Sequence, residues 1–247
     1  METIAIMNLK GGTGKSLTAY AMSCILAERG YKVLVIDADS QGAFSEMSGV
    51  DAEVAAVSVS EILSERAEAF GASLEVNKKG FALIPCRYGF YKEREKYEAE
   101  ALKKALRRFD GWFDFCIIDA PPYVDSWGEN ILMASDKVII PEHMSVLGFG
   151  FLEIFKGFID TVKEKGNPGL VIEGVLFTEA TEAKEGAKRK QLLEEAAKEF
   201  GTKVFNSEIR YDERLDMARR KGMGDVLSRS YVKDDYKAFV DELLSPA

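Results

Sequence analysis

Residues 9–16 read Leu9-Lys10-Gly11-Gly12-Thr13-Gly14-Lys15-Ser16 and lie between an apolar β-like run, Ile4-Ala5-Ile6-Met7, and a helical pattern opening near Lys15. Strand, glycine-rich turn and helix in that order confine the chain to a fold with a phosphate-binding loop at the end of a strand. Gly11, Gly12 and Gly14 have no Cβ, so the backbone can take left-handed dihedrals and turn its N–H groups inward as an anion nest. The phosphates then face a helix N-terminus, where unpaired N–H groups and the dipole favour negative charge. Lys15 brings a point charge to the β- and γ-oxygens of a nucleotide and Ser16 a hydroxyl ligand for Mg²⁺, with Thr13 and Leu17 completing the run. The ordinary pattern G-x-x-x-x-G-K-[ST] has glycine where this chain has Leu9. It also lacks an equivalent of Lys10, a second lysine five residues ahead of Lys15.

Hydrophobic period switches repeatedly between strand-like and helix-like segments, which predicts an α/β fold with a doubly wound, mostly parallel sheet. Strands are expected at 3–7, 32–37, 81–84, 113–119, 137–141, 170–177 and 203–206. Helices are expected at 15–29, 59–70, 92–108, 147–165, 184–200, 212–221 and 231–244, with the rest of 43–79 irregular. No linker, repeat or low-complexity stretch divides the 247 residues, so a single domain over 1–247 is expected.

Two further segments carry acids at strand ends. The buried run Val33-Leu34-Val35-Ile36 leads into Asp37-Ala38-Asp39-Ser40-Gln41-Gly42, and Phe115-Cys116-Ile117-Ile118-Asp119 leads into Ala120-Pro121-Pro122. Carboxylates at the C-terminal ends of central parallel strands face the crevice where ligands bind in open α/β sheets. Asp119 has the Walker B position and would hold Mg²⁺ mostly through water, since that ion dehydrates reluctantly. Pro121 and Pro122 fix φ, so the segment can move as a stiff unit.

Together these motifs resemble the ParA/MinD family of dimerising ATPases, P-loop proteins whose deviant Walker A reads K-G-G-x-G-K-[ST]. The resemblance implies that Lys10 reaches across a nucleotide sandwich to the partner subunit's phosphates, and that Gly12 lies at the two-fold axis of a homodimer. It assigns Asp39, in the D-x-D-P-Q-G stretch where Ser40 replaces proline, to orienting the attacking water, with Asp37 a supporting carboxylate on the Mg²⁺ side. The implied catalytic set is Lys10, Lys15 and Asp39, and the implied metal set is Ser16, Asp37 and Asp119. The reaction is slow hydrolysis of ATP to ADP and phosphate, tied to dimerisation and to a ParB-like adaptor or cargo protein. The segment from Ile209 to Ala218 aligns with I-P-R-N-V-R-L-x-E-A beside the adenine, with arginine at 210 for proline and Met217 for glutamate. Adenine contacts implied there are Thr178, Ile209, Arg210 and Tyr211.

Composition narrows the branch. A hydrophobic share of 47% and a charged share of 30% are those of a soluble globular chain, and no apolar run approaches the length of a membrane span. Cys24, Cys86 and Cys116 are isolated without C-x-x-C spacing, which indicates reduced thiols and a cytoplasmic protein and disfavours a metal-cluster carrier. His143, the only histidine, reads as a packed or surface loop residue rather than a base. With a net charge of −8, DNA binding requires a local patch. Lys188, Arg189, Arg214, Arg219, Arg220 and Lys221 offer one for nonspecific DNA held in the ATP state on the nucleoid, the alternative being a solvated face with interspersed acids. A MinD-like membrane-associated ATPase is the second reading, and it needs a basic amphipathic C-terminal helix. Here Asp234-Asp235-Tyr236-Lys237 through Leu244 is acidic on its polar face, so no membrane partner is expected. Because strand 1 opens the chain, a short ParA type without a helix-turn-helix extension is expected.

Overall fold

The apolar runs become the strands of one sheet because they are apolar at consecutive positions and can be buried on both faces. The computed structural model describes residues 1–64, 76–143, 149–180, 184–199, 201–215, 227 and 230–245. The strands are β1 (Glu2–Ile6), β2 (Val33–Asp37), β3 (Ala82–Ile84), β4 (Phe115–Asp119), β5 (Lys137–His143), β6 (Val171–Ala180) and β7 (Val204–Arg210). They form a seven-stranded sheet in the order β3-β2-β4-β1-β5-β6-β7, and every neighbouring pair is parallel. The helices are α1 (Lys15–Glu28), α2 (Ala43–Ser48), α3 (Val59–Leu63), α4 (Ala101–Leu106), α5 (Ser126–Met133), α6 (Phe149–Lys165), α7 (Lys184–Glu199) and α8 (Val232–Leu244).

Alternation along each strand sends side chains to opposite faces and so builds two cores. Ile4, Ile6, Val33, Val35 and Ile117 pack with α1, α2 and α8. Ala5, Leu34, Ile36, Cys116 and Ile118 pack with helices α3 to α7 on the other side. Burying each such Val, Leu or Ile side chain contributes about 1.5–3 kcal/mol. In the first core Tyr20, Phe44 and Phe81 meet edge to face, with centroids 5.8, 6.2 and 5.7 Å apart. Each such pair adds about 0.5–1.5 kcal/mol beyond its area. The fold is therefore the expected doubly wound α/β sheet.

Three segments depart from expectation. The stretch 43–48, expected to be irregular, is α2, a six-residue helix that buries Phe44 and Met47 and is too short to show a helical period. The expected helix 92–108 is instead two 3-10 turns, Tyr88–Lys92 and Arg94–Lys96, then α4 and a 3-10 turn at Arg107–Phe109. Its residues are good helix formers, but tertiary bonds override propensity. Buried Asn130 of α5 donates from Nδ2 to Glu98 O at 2.6 Å and accepts from Leu102 N at 3.1 Å, fixing the backbone where the helix would have continued. α5 has no expected counterpart. Asp125 caps it by accepting from the Trp127 and Gly128 N–H groups at 3.1 and 2.9 Å. Strands β5, β6 and β7 also run further than their apolar cores, so His143 ends a strand instead of following it. The C-terminal parts of the expected helices 59–70 and 212–221 lie outside the described residues.

Candidate nucleotide site

Strand order brings the three motifs to one edge. β1 lies between β4 and β5, and β4 separates it from β2, so the loop after β1 and the acids ending β2 and β4 share the C-terminal edge. Asp37 and Asp119 are register partners there. Gly11, Gly12, Gly14, Lys15, Ser16 and Leu17 line a cleft with Asp39 and Pro122.

The loop has the geometry of an anion nest. Gly12 and Gly14 have φ of 78° and 84°, and α1 begins directly after Gly14. A Cβ on Gly14 would also stand 3.4 Å from Thr178 Cγ2, because β6 presses on the loop. Thr178 Oγ1 donates to Thr13 O at 2.8 Å, which holds the turn closed. Lys15 curls back over the loop, donating from Nζ to Lys10 O at 3.0 Å. Burial lowers the pKa of this amine, opposed by the charges of Asp119, Asp39 and Glu142.

The acids differ in their surroundings. Asp37 is fully buried and accepts from Ser45 N and Ser45 Oγ at 2.9 and 2.5 Å. Burial nevertheless pushes it up to about 7. Asp119 is equally buried, and among the described residues none donates a hydrogen bond to either carboxylate oxygen. Burial, then the neighbouring Asp37, raises it well above the usual carboxylate range, while Ser16 and Lys15 pull the other way. Asp39 is half-buried at the cleft, its Oδ1 accepting from Gln41 N at 2.9 Å. Two orphaned carboxylate oxygens beside a P-loop serine suit a hard, oxygen-seeking cation, so the residues present fit Mg²⁺.

Lys10 is placed by two residues that the sequence reading did not single out. Its Nζ lies 3.3 Å from Glu142 Oε1. Asn8 donates from Nδ2 to Glu142 Oε2 at 2.8 Å and to Pro141 O at 2.7 Å, and its Oδ1 accepts from Lys10 N at 3.1 Å. The one available signal was an ionisable residue, Glu142, next to the apolar run of β5. The lysine therefore rests at the rim of the loop, while Lys15 occupies the position over it.

A family model described as an AAA domain (AAA_31) matches residues 1–172. The sporulation initiation inhibitor protein Soj of Bacillus subtilis is 30% identical over 231 residues, covering 92% of this chain and 90% of its own. This chain belongs to the ParA/Soj family. Among solved structures it is similar to a McdA variant from Cyanothece in complex with ATP, with a TM-score of 0.85 and 26% identity over 99% of this chain and 96% of that one. It is also similar to a cobyrinic acid a,c-diamide synthase from Mycobacterium smegmatis with bound ATP analogue and magnesium, with a TM-score of 0.84 and 28% identity over 99% and 94%.

The residues expected to contact the base fall on one small cleft. Thr178, Ile209, Arg210 and Tyr211 line it together with Leu17 and Tyr236. At 210 arginine keeps the backbone donor that the expected proline would lack, and Asp235 accepts it at 3.0 Å while also binding the guanidinium at 2.7 Å. Arg210 is thus turned onto α8. His143 pairs through Nε2 with Glu179 Oε2 at 2.7 Å, beside this cleft.

Of the expected basic patch, only Lys188 and Arg214 have side chains among those the structure describes. Arg214 is bound by Asp212 at 2.7 Å, and Lys188 is exposed on α7. Neighbouring Lys190 pairs with Glu208, and Lys233 with Glu28 at 2.7 Å. The side chain of Arg189 and residues Arg219, Arg220 and Lys221 lie outside what the structure describes. The three cysteines are buried apart, Cys24 in α1, Cys86 in the loop after β3 and Cys116 in β4, and burial pushes the Cys24 thiol up to about 11 and raises those of Cys86 and Cys116 further. Among the described residues no helix is long and apolar enough to cross a membrane.

Proposed function

We propose that the protein is a ParA-type positioning ATPase, working as one domain over 1–247, that binds Mg²⁺–ATP and dimerises around it. As the ATP dimer it binds nonspecific DNA, and slow hydrolysis, stimulated by an adaptor or cargo protein, releases it. The observation that carries the reading is the division of labour between the two lysines. Lys15 folds over its own loop, and Lys10 is held at the rim by Glu142, where a second subunit's phosphates could receive it.

Gly11 to Leu17 would cradle the phosphates, and Thr178 with Ile209 to Tyr211 would bound the base. Ser16 and Asp119, with Asp37 behind, would hold Mg²⁺, whose charge neutralises the phosphate oxygens when bound. Hydrolysis then needs positioning and charge more than covalent chemistry. Asp39 accepts a hydrogen bond from water and aims it at the γ-phosphorus. The P–O bond to water forms as the bond to the bridging oxygen breaks, and that electron pair leaves on ADP while the water's proton ends on phosphate. Lys15, and Lys10 from the partner, stabilise the spreading negative charge.

Sedimentation and DNA binding with ADP, ATP and a slowly hydrolysed analogue test this on the native sequence and on Lys10→Ala. The expected result is a dimer with ATP or the analogue only, lost in the variant, and DNA retention that follows the dimer. A Lys10→Ala protein that dimerises and turns over normally overturns the proposal.

A further inference from the structure

Trp127, the second residue of α5, is fully buried and packs edge to face on Phe90 with centroids 4.8 Å apart. Its indole N–H does not stay within its own element. It donates to Ala38 O at 2.9 Å, across 89 residues of sequence. Ala38 is the residue between Asp37 and Asp39, and its own N–H donates to Asp119 O at 2.9 Å. The backbone leading into Asp39 is therefore clasped from both sides, by the end of β4 and by the start of α5.

Both clasps belong to one stretch of chain. From Asp119 it passes through Pro121 and Pro122 to Asp125, whose carboxylate accepts from Trp127 N. This stretch is held closely against α5, since a Cβ on Gly128 would fall 2.6 Å from Tyr123 O. Asp125 is itself paired with Arg94 at 2.9 Å, and Arg94 lies over the Tyr123 ring at 4.9 Å. A shift of the proline segment that lines the nucleotide cleft must carry Trp127 with it or break these bonds.

We infer that Trp127 is a positioning residue for hydrolysis: its indole N–H sets the peptide between Ala38 and Asp39 and couples the segment after Asp119 to the aim of the Asp39 carboxylate. The inference rests on the proposed role of Asp39. Hydrolysis has no covalent intermediate to correct poor aim, and a displacement of about 1 Å costs on the order of a hundredfold in rate.

The test removes the N–H and keeps the shape. The chain has two tryptophans, so a Trp112→Phe background leaves Trp127 alone and confines replacement by the benzothiophene analogue of tryptophan, in which sulfur replaces N–H, to that site. Trp127→Phe in the full chain is a second variant. The expected result for both is a fall in kcat of about ten- to a hundredfold, with the affinity for a slowly hydrolysed ATP analogue within about twofold. Asp39→Ala is measured alongside. Unchanged kcat in the benzothiophene protein while Asp39→Ala abolishes turnover overturns the positioning role, as does an equal loss of affinity and kcat. Unchanged turnover in Asp39→Ala overturns the functional reading beneath it.

Discussion

Lys10 Nζ and Glu142 Oε1 lie 3.3 Å apart, which ties the loop after β1 to the last turn-free residues of β5 across 132 residues of sequence. The Glu142 side chain is almost fully enclosed and the Lys10 side chain about one quarter exposed. An ion pair with one enclosed member competes directly with any other anion for the lysine, because Lys10 cannot be aimed at both. The resting position of the rim lysine is thus set by a neighbouring strand.

Glu142→Gln should weaken this hold while leaving an amide oxygen for the Asn8 contact. The expected outcome is an ATP-dependent dimer that forms at about five- to tenfold lower protein concentration, equivalent to about 1 kcal/mol or slightly more. Sedimentation across a concentration series with a slowly hydrolysed analogue measures it, and a dimer no tighter than the native one refutes the competition.

Asp119 should cost stability when no nucleotide is bound. Its folded pKa is raised, so the folded state prefers the protonated acid. The penalty is absent below the unfolded value near 4 and grows as pH rises through the folded value. Asp119→Asn is expected to raise the Tm of the nucleotide-free protein at pH 8 by about 2–4 °C, and to leave it unchanged near pH 4. The same substitution should abolish the additional stabilisation by Mg²⁺–ATP. Differential scanning fluorimetry at the two pH values reads both effects.

Asp212 acts in the opposite sense. The Arg214 guanidinium and the Ser230 hydroxyl, which donates at 2.6 Å, hold its pKa down to about 2. A depressed carboxylate stabilises the fold above its unfolded pKa, and the contribution is lost as pH falls from about 4 through 2. Asp212→Asn should therefore destabilise by about 1–2 kcal/mol at pH 7, by much less near pH 2, and by nothing at lower pH. Urea unfolding followed across that range gives the difference, and a constant gap at every pH would contradict the assignment.

Gly128→Ala puts a methyl group 2.6 Å from the Tyr123 carbonyl oxygen and 3.2 Å from Met7 Cε. The methionine can yield and the backbone cannot do so cheaply. A loss of about 1–3 kcal/mol is expected, seen as a Tm lower by several degrees. A native-like Tm would mean that the segment before α5 is free to move away.

What the sequence alone determined is the chemistry written in short contiguous runs. The glycine nest, Lys15 and Ser16 are local because an anion nest is made by consecutive backbone N–H groups. Asp37 and Asp119 were legible because each ends a run of buried residues, and a parallel strand must end where its loop begins. Helix α2 escaped because six residues carry no usable period, and the segment 92–108 misled because helix propensity ignores Asn130 reaching in from α5. Tertiary structure decided which groups meet. Parallel strands join residues far apart in sequence, so only the order β3-β2-β4-β1-β5-β6-β7 places Glu142 against Lys10 and aligns Asp37 with Asp119. The same packing sets Trp127 on Ala38, a contact whose donor and acceptor are an ordinary core side chain and a backbone carbonyl. Nothing in either residue's own neighbourhood in the chain marks the other, because the bond is set by the packing of α5 on the sheet.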